Sequence, residues 1–373
     1  MRKHLDAYKS VSVDLFVTLS GPQTKTSLAL SLCESHNLFM QPEIKPETIF
    51  RHVYGVYPSM AMLAGMQLDV FTPLKDGPMT AAALATALAL QTDKLRPLLY
   101  ALVHAELLNL VEGDRFANTP EADVYLVRGG RSYLGSSHEL YSDLWNAALT
   151  AGRSVRTGRP QVKHDFMLMS DEELGAFFRG LHAGALATGE QLAATYDFQR
   201  FRSLVDVGGG SGGVSIAACQ TCHDLRATVI ELPRVAPIAR AVVQESNLAN
   251  RVQVVEADIL EGAPDGYFDV AVLRNLIQVL GSNAARRALR NVGQMIEPGG
   301  WLFIVGYVLE DNRLAPAEAV CLNLAFVSLY DEGQAYTEGE HRTWLAEAGF
   351  DSIDVHYRAA RAGLSIVTAR KKT

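Results

Sequence analysis

The chain has 373 residues, 48% of them hydrophobic, and a formal net charge of −7. That length supports two domains with sizeable cores, and the mild acidity argues against nucleic acid or a membrane surface as the main partner. Its four cysteines make no extracellular disulfide framework, and no apolar run reaches the roughly 18 residues of a transmembrane helix.

Residues 1–44 are weakly patterned and read as a leader of unassigned role. The apolar stretch 11–19 is short and interrupted by Asp14, so it is no signal peptide and the expected location is the cytoplasm. Residues 45–135 then follow a winged-helix order. A helix runs over about 49–68, Thr80 caps a helix over 81–88, another helix spans about 92–107, and Val111–Phe116 makes a tight hairpin. The last helix of this set has only Lys94 and Arg96 as basic residues, beside Asp93 and Glu106. A DNA reader needs a basic stripe for phosphates, so the module is expected to pair protomers and cover a substrate. Residues 136–200 read as a helical connector and pocket wall, rich in aromatics such as Tyr141, Trp145, Phe166, Phe177 and Phe178.

From 201 to 373 strands and helices alternate, with strands expected near 203–207, 227–231, 252–257, 268–273, 301–308, 352–357 and 364–369. Such alternation predicts an α/β fold, a doubly wound and mostly parallel sheet with helices on both faces. Ligands of such sheets bind at the carboxyl ends of strands. The stretch Leu204-Val205-Asp206-Val207-Gly208-Gly209-Gly210-Ser211-Gly212-Gly213 lies at such an end. It reads as a buried strand, an acidic strand end and a glycine loop opening a helix, a cradle for the polar part of a nucleotide-like cofactor.

Gly208, Gly210 and Gly213 satisfy G-x-G-x-x-G, with Glu231 about 20 residues on, so a dinucleotide such as NAD stays open. Two carboxylates favour S-adenosylmethionine (SAM). Asp206 stands just ahead of the glycines, with Val207 between, where it meets the ammonium of a methionine moiety, and Asp258 ends the third strand, placed to accept from an adenine amino group. A pyrophosphate gains nothing from an extra carboxylate beside it. Cys219 and Cys222 lie one helical turn apart after the loop and are expected in the core, not in a redox or metal pair. No metal-ligating set is evident.

With the glycine loop, Glu231-Leu232-Pro233, Asp258, Leu273-Arg274-Asn275, Pro298-Gly299-Gly300 and Ala348-Gly349-Phe350 in order, the chain resembles a known family over residues 48–370. It is similar to the class I SAM-dependent O-methyltransferases of small molecules, the caffeate and hydroxyindole type, with their bacterial secondary-metabolism members. The resemblance implies a seven-stranded SAM-binding domain and a homodimer formed through the N-terminal module. It places Asp206, Gly208 and Gly210 at the methionine end of the cofactor and Glu231 at the ribose hydroxyls, with Leu232 also among the cofactor-binding residues. Asp258 and Ile259 then bracket the adenine, and Arg274 lies near the cofactor's polar end. Tyr141, Trp145, Phe178, Asn323 and Phe326 are expected to line a flat pocket for an aromatic or polyketide-like acceptor.

The family's usual base is a histidine after the fourth strand, and Gln278 holds that position here. The two glutamates that orient that histidine in plant-type enzymes are matched by Gly306 and Ala335. Glutamine takes no proton near neutral pH. Three chemistries are therefore open. Methyl transfer can proceed by positioning and desolvation, with Gln278 holding the substrate. Another residue, His182 foremost, can be the base. Or the fold uses SAM for C- or N-methylation or for hydroxylating or pericyclic chemistry. An NAD-dependent oxidoreductase and a DNA-binding regulator are the remaining alternatives.

Overall fold

A computed structural model describes residues 44–130, 132–163, 165–360 and 363–373, and the expected leader lies outside the described residues up to position 43. The chain divides into two compact units, Met1–Gly55 and Val56–Thr373. In the described part of the first, the rings of Phe50 and Tyr54 stack at 6.2 Å, one helical turn apart.

The N-terminal elements run α1 (Glu47–Gln67), β1 (Met79–Thr80), α2 (Ala81–Ala87), α3 (Thr92–His104), β2 (Leu108–Val111), β3 (Arg115–Asn118) and α4 (Pro120–Tyr125). Thr80 caps α2 as its sequence requires, its side chain accepting from the Ala83 N–H at 3.2 Å. The hairpin pairs Val111 with Arg115 across Gly113, whose φ of 76° suits a residue without Cβ. β1 adds a third strand beside β3, which completes the winged-helix order. Leu84, Leu99, Leu102 and Phe116 are buried at its centre. α3 ends three residues earlier than expected, because Glu106 takes φ 61° and turns the chain into β2.

Four helices follow, α5 (His138–Leu149), α6 (Ala151–Thr157), α7 (Asp171–Gly180) and α8 (His182–Thr195). The C-terminal part comprises β4 (Ser203–Val207), α9 (Gly213–Thr221), β5 (Arg226–Glu231), α10 (Ala236–Glu245), β6 (Val252–Glu256), β7 (Phe268–Arg274), α11 (Ser282–Met295), β8 (Ile296–Gly306), β9 (Val308–Leu309), α12 (Ala317–Leu329), β10 (Tyr336–Thr337), α13 (Glu338–Glu347), β11 (Phe350–His356) and β12 (Ser365–Lys371).

The sheet has seven strands in the order β11-β12-β8-β7-β4-β5-β6, with β12 antiparallel to both neighbours and the rest parallel. Strand alternation splits the core in two. Leu204 of β4 faces a cluster with α9 and α10, while Val205 and Val207 face one with α11 and α13. Full burial of each aliphatic side chain is worth about 1.5–3 kcal/mol, so both faces must be covered. Cys219 and Cys222 are buried in the first cluster as unpaired thiols, and burial pushes the Cys219 thiol up to about 11, far from a reactive thiolate.

Two strand readings need correction. β8 begins at Ile296, not 301, because Pro298-Gly299-Gly300 lies inside the strand as an irregularity opposite Phe268–Val270, with Gly299 at φ 78°. The short parallel pair β9–β10 was not anticipated, since two-residue strands carry no periodicity. Among the described residues no helix is long and apolar enough to cross a membrane.

Strand order reverses at β4 and β7, which sit side by side although α9, α10 and two strands separate them in sequence. A crevice opens there, above the carboxyl ends. Its back is held by α8 packed on α9. A Cβ on Gly189 of α8 would stand 2.5 Å from the Val214 carbonyl oxygen and 2.9 Å from the Ala217 Cβ, so glycine is required for this close approach. Glycine to alanine in a helix normally stabilises by roughly 1 kcal/mol, but here overpacking reverses the sign. Gly189→Ala is expected to lower stability by about 1–3 kcal/mol in urea unfolding, and an unchanged or higher midpoint would contradict the close α8–α9 contact.

Candidate active site

The glycine loop bridges β4 and α9 by positions that no side chain fits. Gly208, Gly210 and Gly212 have φ of 65°, 57° and 74°. Gly209 has an ordinary φ, yet a Cβ there would lie 2.8 Å from Asp206 Cγ and 2.9 Å from Val229 Cγ1. Asp206 itself is wholly buried. Its Oδ2 accepts from the Ser215 N–H at 3.3 Å and the Ser215 hydroxyl at 3.0 Å, tying the strand end to the first turn of α9. Its Oδ1 has no partner among the described residues. Burial pushes its carboxyl up to about 6, against the pull of the Ser215 hydrogen bonds and the Arg274 charge.

Above the loop is a cavity of about 640 Å³, within the range that holds a cofactor and a small substrate together. Gly208, Gly210, Glu231, Leu232, Asp258, Ile259, Arg274, Gln278, Phe178 and Phe326 all line it, with Asp206 in its floor. Glu231 ends β5 with Oε2 accepting from the Gly210 N–H at 2.7 Å and Oε1 from its own neighbour Leu232 at 2.9 Å. Desolvation raises its carboxyl above the usual range, the Asp206 charge adds to that, and the two backbone donors pull it down. Asp258 Oδ1 accepts from the Leu260 N–H at 2.8 Å, turning the chain after β6. The Arg274 guanidinium leaves β7 between α8 and the cavity. Its Nε donates to Thr188 Oγ1 at 3.0 Å, and Gly184 makes room for Nη2, where a Cβ would lie at 2.8 Å. Burial lowers its pKa, although the Asp206 and Tyr307 sites favour its charge. Among the described residues it has no ion pair.

These features fit SAM. Acidic strand ends face the cavity from β5 and the β6 turn, a glycine cradle occupies the β4 end, and a buried carboxylate oxygen beneath it lacks a donor. A second phosphate-sized basic cluster, which a dinucleotide's charge would favour, does not appear among the lining residues. The other wall is apolar. Phe166, Phe177 and Phe178 pack at 5.3–5.6 Å from one another, with Phe178 against Gly210. Phe326 lies 5.3 Å from the Tyr330 ring and 6.2 Å from Tyr307.

Several expected site residues fall elsewhere. His182 is not in the lining: its Nδ1 shares a hydrogen bond of 2.8 Å with Ser211 Oγ, beside Gly213, and so braces the loop from behind. Burial and then the Arg179 charge lower its pKa, keeping the ring neutral. Tyr141 and Trp145 stack at 6.3 Å on the neighbouring face of α5, where Tyr141 packs against the N-terminal core, while Leu140 and Leu144 face the cavity. The aromatic stripe and the lining stripe are one residue apart on the same helix. Asn323 also lies off the lining, its Oδ1 accepting from the Ala335 N–H at 2.7 Å.

Gln278 lines the cavity, but both ends of its carboxamide are engaged. Oε1 accepts from the Tyr307 N–H at 3.0 Å, and Nε2 donates to Asn275 Oδ1 at 3.3 Å. A Cβ at Gly306 would lie 2.5 Å from that Oε1, so the glycine and the glutamine fit as a pair. Leu140, Leu144, Asn275, Tyr307, Leu322 and Glu332 are lining residues that sequence reasoning missed. Only Asn275, inside the quoted Leu-Arg-Asn motif, carried a signal.

A glycine cradle, an aromatic wall and a winged-helix module before them define a class, the small-molecule methyltransferases. Family models agree with it: residues 150–351 match the O-methyltransferase domain and residues 50–128 the O-methyltransferase dimerisation domain. The chain belongs to this O-methyltransferase family and is a SAM-dependent O-methyltransferase. It is 27% identical to a tetracenomycin polyketide synthesis 8-O-methyl transferase of Streptomyces glaucescens, over 83% of this chain and 92% of that protein. It is 26% identical to a 3-hydroxy-5-methyl-1-naphthoate 3-O-methyltransferase of Streptomyces sahachiroi, over 85% and 93%. The fold matches human N-acetylserotonin methyltransferase in complex with SAM at a TM-score of 0.75 and 21% identity, over 89% of this chain and 99% of that one.

The buried Asp206 gives a pH-dependent signature. Its carboxyl titrates near 6 in the fold and near its ordinary 3.8 when unfolded. Between those values the folded state binds more protons, so this residue's contribution to stability is present at low pH and is lost as pH rises through about 6. The melting-temperature advantage of the wild type over Asp206→Asn should therefore shrink from pH 4 to pH 7. A difference that stays flat across this range would show that the carboxyl does not titrate there.

Proposed function

We propose that the protein, as a homodimer paired through its N-terminal module, transfers the methyl group of SAM to a hydroxyl of a small aromatic or polyketide-like acceptor. The observation that carries the acceptor class is the apolar, aromatic lobe of Phe166, Phe177, Phe178, Leu144, Leu322 and Phe326 joined to the glycine cradle. Flat rings bury well between such side chains, and the two streptomycete relatives are named for a polyketide and a naphthoate.

Each residue of the cradle has a distinct part. Glu231 takes the ribose hydroxyls, a bidentate task suited to a carboxylate whose orientation is already held by Gly210 and Leu232. Asp258 accepts from the adenine amino group, with Ile259 and Leu232 against the ring. Arg274 faces the methionine carboxylate, and Asp206 supplies negative charge beneath the ammonium. When bound, the cofactor supplies a methyl group already activated on a sulfonium.

The chain's own contribution is to align the acceptor oxygen with that methyl and to keep water out, which in well-aligned reactions removes about 7–11 kcal/mol of the barrier. Gln278 serves this alignment indirectly, by fixing Asn275 and the backbone at Tyr307 on the cavity wall.

Calorimetric titration tests the cradle. SAM and S-adenosylhomocysteine should both bind in the micromolar range, and Asp258→Ala should weaken SAM at least tenfold, about 1.4 kcal/mol. Unchanged affinity removes the adenine assignment. Gln278→Ala should lower turnover far more than SAM affinity, and the reverse pattern would make Gln278 a cofactor ligand.

A further inference from the structure

Methylating a hydroxyl releases a proton, and the residues around the cavity decide where it goes. Gln278 cannot accept it, and both ends of its carboxamide are already engaged. His182 and His341 lie outside the lining, the latter fully enclosed with Nδ1 on the Thr337 carbonyl oxygen at 2.9 Å. Tyr307 and Tyr330 are phenols whose pKa burial raises, Tyr330 to about 12, so neither is an ionised acceptor at neutral pH.

That leaves the carboxylates. Asp206 is sealed under the loop on Ser215, Glu231 holds the Gly210 and Leu232 N–H groups, and Asp258 holds the Leu260 N–H. Asp331 is ion-paired with Lys163 at 2.6 Å. Glu332 lines the same cavity with no hydrogen bond or ion pair to any described residue.

Its placement follows from the loop after α12. Gly333 is pressed on the turn that carries Gln278, where a Cβ would stand 2.7 Å from the Gln278 carbonyl oxygen. The Tyr336 hydroxyl donates to the Leu280 carbonyl oxygen at 2.7 Å and closes the other end of the loop. Between these two anchors the Glu332 carboxylate lies over Gly281, which has no side chain to displace it. Glu332 is an exposed residue, so a proton taken from the acceptor can pass on to water.

We propose that Glu332 is the general base of this enzyme, a catalytic residue contributed by the loop after α12 in place of one at position 278. The assignment rests on the methyl-transfer reading above. As the acceptor oxygen forms its bond to the methyl carbon, its O–H proton moves to the Glu332 carboxylate. The pair of the breaking S–C bond stays on sulfur, leaving neutral S-adenosylhomocysteine. The charge balances, since one cation and one carboxylate are consumed and a carboxylic acid results.

The test follows S-adenosylhomocysteine formation by wild type, Glu332→Gln and Glu332→Asp with a panel of naphthols and their nitro-substituted counterparts, the latter already ionised at a mildly alkaline assay pH. Glu332→Gln should lose about 10²–10⁴-fold in kcat with the un-ionised naphthols, with SAM affinity by calorimetry unchanged. With the ionised nitronaphthols it should match the wild type, because no proton remains to be taken. Glu332→Asp should recover part of the loss. An equal loss with both acceptor sets makes Glu332 a binding residue and overturns the proposal, as does no loss with either. If wild type methylates none of the naphthols, the proposed acceptor class falls and the base assignment with it.

Discussion

The site depends on one buried carboxylate. Asp206 sits at the end of a central strand with no exposure to water, a place where an isolated charge is costly, and it is held there by the backbone and hydroxyl of Ser215. Its bulk fills the space where residue 209 would carry a Cβ, and its hydrogen bonds set the start of α9. Glycine in the loop is therefore a packing requirement at 209 and a backbone requirement at 208, 210 and 212. With the loop so placed, the Gly210 N–H reaches Glu231 and the cradle closes across two strands.

Around that centre α8 acts as a brace. Its small face, Gly189 and Ala185, lets it lie against α9, and its polar residues then hold what the cavity needs held. His182 pins Ser211 of the loop, and Thr188 orients the Arg274 guanidinium over the space that Gly184 leaves open. A histidine that sequence reading placed among the reacting groups is instead part of the scaffold. Its neutral ring, kept so by burial, is the form that exchanges a hydrogen bond with a hydroxyl without bringing charge beside the cofactor.

Gln278 and Gly306 act as a pair that makes the cavity wall rigid. The carboxamide accepts from the Tyr307 backbone and donates to Asn275, a residue in the left-handed region at φ 55°. Two strand ends and a strained turn are thereby locked at the cavity wall. Rigid walls favour chemistry driven by alignment.

The chain's alternation of apolar strands and helices, its glycine loop and the acids closing three strands were legible without coordinates, because each is a local pattern with its own backbone logic. Asp206, Glu231 and Asp258 were found that way and Arg274 through the family resemblance, and all four line the crevice beside the β4–β7 junction. The apolar wall was legible only in part: Phe178 and Phe326, expected on it, do line the cavity, while Tyr141, Trp145 and Asn323 do not. Tyr141 and Leu140 are neighbours on one helix, and only the packing of α5 decides that the leucine faces the cavity and the tyrosine the N-terminal core. Asn323 was expected on the wall, and Glu332 gave no pattern at all. One is drawn away by a backbone N–H and the other brought in by a loop pressed on a distant turn. Sequence by itself determined the fold class and the glycine loop with its neighbouring acids, since these are written in residue type and spacing. Tertiary structure alone decided which side chains share the cavity and which are already bonded, since that depends on contacts between segments far apart in the chain.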